Sequence, residues 1–253
     1  MKIGIIGAGL IGGTLIRQYT KAGHDVKVTN SSGPEKLKDL IQETGASAVP
    51  LTDAVTDVDV IVISIPLKEI PKLPQDLFKN TPADTTIVDT SNYYPLRDGR
   101  IEEIEQGMIE SIWVSNQLQR PVIKAYNSIL AGSLLYAGLP KGTASRIALP
   151  VAGDDKKSID LVSGLINDSG FDSLDVGSLH YSWRQQPGSP VYCTDLTLTQ
   201  LKELIGKAKR ELLPGRRDTA LNFILKQKPG QWMVWWKDCV KNNRIIFETD
   251  TYI

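Results

Sequence analysis

Cysteine is scarce in this sequence. Cys193 and Cys239 are the only two in 253 residues, and they stand far apart. Thiolate metal sites and disulfide frameworks need closely spaced or paired cysteines, so neither is expected, and two isolated thiols suit a reduced, cytoplasmic chain. An excess of one charge is also missing: 29 basic residues balance 29 acidic ones. Without a strong field, the chain has nothing to draw in nucleic acid or an anionic membrane surface. No apolar run reaches the ~18 residues of a membrane span. The first apolar stretch is short and broken by glycine, unlike a secretory signal.

What the sequence does contain is concentrated at its start. Lys2-Ile3-Gly4-Ile5-Ile6 reads as a strand and runs into Gly7-Ala8-Gly9-Leu10-Ile11-Gly12. A helical pattern follows through Leu15, Ile16 and Tyr19. Gly23-His24-Asp25 then turns the chain into a second strand, Val26-Lys27-Val28. In a strand–loop–helix setting, G-x-G-x-x-G has a mechanism. Gly7 allows the tight turn, Gly9 lets the backbone approach a pyrophosphate, and Gly12 lets helix and strand pack closely. The amides of Leu10, Ile11 and Gly12 then face the phosphates at a positive helix end. A glycine-rich turn in some other α/β protein is the plainer alternative.

One absence inside this unit bears on which dinucleotide binds. An NAD enzyme places Asp or Glu at the end of the second strand to accept the ribose 2′-hydroxyl, and that carboxylate would repel a 2′-phosphate. Here the chain offers Thr29, Asn30, Ser31 and Ser32, then Gly33-Pro34 opening a helix, with Lys36 and Lys38 as the nearest cations. Neutral donors and fresh helix amides favour NADP(H), although no arginine stands in the loop. A polar loop with a serine cap at Ser32 reads the same residues without a ligand.

Strands and helices keep alternating downstream. Glu35 to Thr44 has helical spacing. Asp59 to Ser64, Thr85 to Asp89 and Pro121 to Ala125 read as strands buried on both faces of a parallel sheet. Arg146 to Ala152 and Ser173 to Val176 read as later strands, with a helix from Asp155 to Asn167 between them. This order predicts an α/β, Rossmann-type doubly wound parallel sheet. Ligands of such sheets lie beyond the C-terminal strand ends. That rule selects Ser64-Ile65-Pro66 as a backbone rail for the nicotinamide ribose, Thr90 and Asn92 at the next strand end, and Asn127-Ser128-Ile129 at the reactive end. Each also has a structural reading: a proline-started helix, an Asx or Ser turn, and a helix N-cap.

The alternation stops near residue 190. Thr199 to Leu213 reads as a helix broken by Pro214-Gly215, and Arg217 to Lys228 as another. Gln231 to Trp236 then carries three of the five tryptophans. We expect residues 1–188 to form the NADP-binding domain and 189–253 a mainly helical appendage. Such an appendage would cap the crevice or pair two subunits as a homodimer. No internal repeat or metal-ligand cluster is evident.

Five segments in order carry a family resemblance: Gly7 to Gly12, Ser64 to Pro66, Val122 to Asn127, Pro150 to Asp155, and Asp175 to Leu179. Together they resemble the NADP oxidoreductases that use the deazaflavin coenzyme F420. They are also similar to the oxidoreductase domains of the six-transmembrane metalloreductases, although the membrane half is absent. The resemblance implies NADP(H) in the crevice and a second ring, coenzyme F420 or a flavin, stacked against the nicotinamide. Two departures stand out. Deazaflavin-reducing members generally carry His-Thr where this chain has Asn127-Ser128. They also carry an arginine beside the phosphate-site serine, where this chain has Ser31-Ser32.

Hydride transfer between two rings asks little acid–base machinery of the protein. On this reading Asn127 and Ser128 orient the carboxamide or the second ring. The substrate is a small molecule. His24 is expected at the surface, remote from the crevice. His180 follows the Gly177-Ser178 turn and could protonate a reduced carbonyl; a histidine at the start of a helix is the plainer reading. Two alternatives stay open: a reductase of a small carbonyl or imine, and a non-catalytic NADP(H) sensor.

Overall fold

A computed structural model describes residues 1–227 and 232–249. Six strands form one parallel sheet: β1 (Lys2–Ile6), β2 (Asp25–Thr29), β3 (Ser47–Ala48), β4 (Val60–Ile63), β5 (Thr86–Asp89) and β6 (Ile123–Lys124), in spatial order β3-β2-β1-β4-β5-β6. The register pairs Ile5 with Val28 on one side and with Val62 on the other. The central strands are apolar along nearly their whole length because both faces are covered. β4 (VIVI) is buried at every position.

On one face, helix α1 (Leu10–Lys21) packs with α2 (Lys38–Thr44) over Ile3, Ile5, Val26 and Val28. Helices α3 (Leu51–Ala54), α4 (Pro95–Asp98), α5 (Glu102–Glu105) and α6 (Glu110–Leu118) come next in the chain. α6 and a 3-10 segment at Leu67–Lys72 cover the other face through Trp113, Val114, Leu67 and Ile70. Gly4 makes one of these packings possible, since a Cβ there would fall 1.7 Å from the Ala54 carbonyl oxygen.

The later strands do not extend this sheet, contrary to the sequence reading. Past α7 (Ala131–Tyr136), strands β7 (Ala148–Val151) and β8 (Asp172–Asp175) form a parallel pair of their own, joined by α8 (Lys156–Asp168). A single antiparallel bridge, Lys124 to Ala152, ties the pair to β6. β6 is too short to template a full neighbour. It spans two residues and ends at Lys124, and Tyr126, two positions on, has a φ of 59° that turns the chain out of strand geometry. The buried Tyr126 hydroxyl is held by Tyr19 at 2.9 Å and Ser169 at 3.3 Å.

The C-terminal helices also fall differently. α9 (Leu198–Leu204) starts with a Thr197–Gln200 capping box and stops early, and α10 spans Leu213–Leu225. Pro214 therefore begins a helix instead of breaking one, because a first-turn residue has no intrahelical acceptor for its N–H. α11 (Trp232–Ile246) lies on α7, where a Cβ at Gly132 would sit 2.3 Å from Trp236 Cγ. Of the tryptophan-rich stretch, Gln231 and the side chains of Trp232, Met233 and Val234 lie outside the described residues. Among the described residues, no helix is long and apolar enough to cross a membrane.

His24 is not the surface residue the sequence suggested. Its side chain is 10% exposed, and Nε2 lies 3.1 Å from Asp168 Oδ2. Nδ1 lies 3.3 Å from the N-terminal amine, and the ring stacks edge-on against Tyr19.

Candidate functional site

The glycine-rich loop connects β1 to α1 above the C-terminal edge of the sheet. Gly7 has φ +102°, and a Cβ there would lie 2.3 Å from the Ser64 carbonyl oxygen. Its N–H donates to the Thr29 carbonyl at 2.8 Å, closing the loop onto β2. A Cβ at Gly12 would meet the Gly7 carbonyl at 2.1 Å, whereas one at Gly9 would meet nothing within 4 Å. The first and third glycines thus serve close packing, and the second leaves backbone open to approach. No acidic residue stands in the first turn of α1, so nothing there opposes an anion.

These residues line a cavity of about 940 Å³. Gly7, Gly9, Leu10, Asn30, Ser31, Ser32, Lys36, Ser64, Ile65 and Pro66 all face it, together with Thr29. Gly12 and Ile11 sit behind the lining, in the first turn of α1. Asn30 Oδ1 is buried and has no hydrogen-bond partner among the described residues, which leaves an acceptor at the cavity wall for a ribose hydroxyl. An open backbone at Gly9, free α1 amides and that acceptor fit a dinucleotide.

The other strand-end segments are not part of this lining. Thr90 Oγ1 donates to the Ile63 carbonyl at 3.1 Å, and Ser91 donates to Asp89 through both its N–H and its hydroxyl. Asn92, Asn127 and Gln185 form a closed amide cluster. Asn127 Nδ2 donates to Asn92 Oδ1 at 3.1 Å and to the Gln185 carbonyl at 2.8 Å, while its Oδ1 accepts from Gln185 Nε2 at 3.1 Å. Asn127 is 2% exposed, so its donors are spent within the protein. Ser128 Oγ is buried without a partner among the described residues, and the Ser128 carbonyl accepts the Cys193 N–H at 2.9 Å. His180 is exposed, beside Tyr181, and does not line the cavity.

Several functional candidates escaped the sequence reading. Arg17, Asp39, Glu69 and Lys72 all line the cavity. Arg17 had a signal: Leu10, Gly13, Thr14 and Arg17 follow the spacing of one helix face. Beneath the strand ends lies a fully buried ion pair, Lys124 Nζ to Asp89 Oδ2 at 2.9 Å. Nearby Glu110 accepts the Tyr93 N–H at 3.1 Å. Burial pushes the Glu110 carboxyl up to about 7, against the pull of Lys124 and the Tyr93 hydrogen bond.

Comparison with known proteins agrees with this geometry. Residues 2–93 match the family model described as NADP oxidoreductase, coenzyme F420-dependent. The chain belongs to this family. It is 36% identical over 128 residues to the Escherichia coli protein YjhV, covering 51% of this chain and 84% of that one. A hypothetical protein, SMa0349 from Sinorhizobium meliloti, superimposes with a TM-score of 0.66 at 30% identity, over 78% of this chain and 95% of the other. A protein from an Arthrobacter species, provisionally named an F420-dependent NADP-reductase, superimposes at 0.59 and 17% identity, over 72% and 87%. At that identity the likeness concerns the fold. The chain thus belongs to a family of NADP oxidoreductases and carries a Rossmann-type sheet with a helical C-terminal region.

Proposed function

We propose that this family member transfers a hydride between NADP(H) and a deazaflavin- or flavin-type ring. The observation that carries the reading is the cavity itself, continuous from the glycine-rich loop to Ser64-Ile65-Pro66. Bound NADP(H) would supply or take up the hydride. The protein's part is to bind, orient and exclude water.

The α1 amides and the open face of Gly9 would take the pyrophosphate. Asn30, Ser31, Ser32 and Lys36 would take the adenosine ribose and its 2′-phosphate, and the Ser64–Pro66 backbone would support the second ribose. Thr90, Asn92 and Asn127, which lie outside the lining, would support the floor at the nicotinamide end. With its donors spent on Asn92 and Gln185, Asn127 would act chiefly by holding that floor in shape. Ser128, with an unpaired buried hydroxyl, is the better candidate for a contact to the carboxamide or the second ring.

A carbonyl or imine reductase would need a proton donor beside the acceptor. The exposed position of His180 outside the cavity weighs against that alternative. The test is NADPH oxidation monitored at 340 nm with coenzyme F420, FMN and FAD, and with a panel of small carbonyls and imines. Turnover confined to the ring acceptors supports the proposal. Turnover on carbonyls alone, lost in His180→Ala with cofactor binding intact, would replace it. Tight NADP(H) binding without turnover on any acceptor would favour a sensor.

A further inference from the structure

The cavity wall has three cations, Arg17, Lys36 and Lys72. Lys72 is held at 2.9 Å by Glu69, itself a lining residue. Lys36 is exposed on the short 3-10 segment Pro34–Leu37. Arg17 is different in kind, because its guanidinium is already aimed. Nε and Nη2 donate to the two carboxylate oxygens of Glu43, each at 2.7 Å. Nη1 donates to the Gly13 carbonyl at 3.2 Å. A Cβ placed on Gly13 would lie 3.5 Å from both Arg17 Nη1 and the Ala8 carbonyl oxygen. The guanidinium therefore folds back along α1 toward the glycine-rich loop while anchored to α2, the helix that follows Asn30 to Gly33.

A guanidinium carries five N–H groups in a fixed plane. Three are used by Glu43 and Gly13, which leaves one on each terminal nitrogen. Such a fork suits a phosphate monoester, which presents several oxygens to one donor plane. On the reading above the first-turn amides of α1 take the pyrophosphate, so a cation bonded to α2 belongs at the ribose end.

We propose that Arg17, positioned by Glu43, binds the 2′-phosphate of NADP(H) and supplies from α1 the arginine that the loop after β2 lacks. The assignment rests on the NADP(H) reading above. Arg17 would be a binding residue. Glu43 would be a positioning residue, since it orients the fork without touching the ligand. Asp39 lines the same cavity and opposes the phosphate by its charge.

The test is a fluorescence or calorimetric titration of the full chain with NADPH and NADH, for wild type, Arg17→Met, Arg17→Lys and Glu43→Gln. Melting temperatures would confirm that each variant folds. The expected result is a wild type at least tenfold tighter for NADPH. Arg17→Met would weaken NADPH about tenfold and leave NADH within twofold. Arg17→Lys would recover part of the loss, and Glu43→Gln would weaken NADPH alone by about threefold. Equal weakening of both cofactors, as a pyrophosphate contact or a purely structural role would give, overturns the assignment. So does a preference for NADPH that survives Arg17→Met. Equal wild-type affinities would instead overturn the NADP(H) reading beneath it.

Discussion

Lys124 Nζ lies 2.9 Å from Asp89 Oδ2, and neither side chain has any solvent exposure. The two stand at the C-terminal ends of neighbouring strands, where Lys124 also donates to the Ser91 carbonyl and Asp89 Oδ1 accepts twice from Ser91. Two of the three ammonium donors and both carboxylate oxygens are thus engaged. It pins together the two strand ends that lead into Asn92 and Asn127.

Removing one partner should be far worse than removing both. Lys124→Met or Asp89→Asn strands a buried charge and should cost on the order of 3–5 kcal/mol. The double variant Lys124→Met/Asp89→Asn, which keeps an acceptor for Ser91, should recover much of that. Urea denaturation of the three variants measures the difference; strictly additive losses would show that the pair is not coupled.

The three loop glycines should separate folding from binding. Gly9→Ala should fold normally, since its Cβ enters open space, yet weaken NADP(H) by about tenfold, or ~1.4 kcal/mol. Gly12→Ala places a methyl group 2.1 Å from the Gly7 carbonyl and should lower the melting temperature as well. Thermal melts with and without cofactor distinguish the two. A Gly9→Ala variant with unchanged affinity would remove the pyrophosphate from this loop.

Stability should fall as pH rises through neutrality. Burial lifts Glu110 from 4.5 to about 7 and Asp195 from 3.8 to about 6. In that interval the folded state holds protons that the unfolded state has released, so raising the pH favours unfolding. The contribution is whole below the unfolded values and lost above the folded ones. For Glu110 the loss is on the order of 3 kcal/mol. Glu110→Gln should flatten the slope between pH 5 and 8 and be more stable than wild type at pH 8. Denaturation midpoints across that range are the check.

Asp39 provides the counterpart to the arginine test. Neutralising a carboxylate on the cavity wall should favour an anionic ligand. Asp39→Asn is expected to tighten NADPH by about two- to fivefold and leave NADH unchanged or weaker. A titration of the variant with both cofactors reads this directly. Tightening of both alike would place Asp39 away from the 2′-position.

The first βαβ unit was legible in the sequence because its constraints are local. Gly7 needs a positive φ, Gly9 an open face and Gly12 a close contact, and all three belong to one loop of six residues. The alternation of apolar strands and helices was equally readable through Asp89. Beyond Ile123 local pattern misled. Arg146 to Ala152 has the composition of a sheet strand, but whether it joins the main sheet depends on where β6 stops, and that is set by Tyr126 held between Tyr19 and Ser169. Pro214 misled for a similar reason, since proline is compatible with both ends of a helix boundary and its neighbours decide which.

By itself, then, the amino-acid sequence determined the glycine-rich loop, the parallel sheet and the absence of an acidic residue after β2. Each follows from residues within about thirty positions of one another, the span of a βαβ unit. Only tertiary structure decided what lines the cavity. It brought Arg17 of α1 to Glu43 of α2, set Asp39 and Glu69 around one cavity, and closed Asn127 against Gln185, 58 positions away. Those side chains are ordinary surface or amide residues when read in line. Their meaning comes from distance in space, which folding sets and spacing along the chain does not encode.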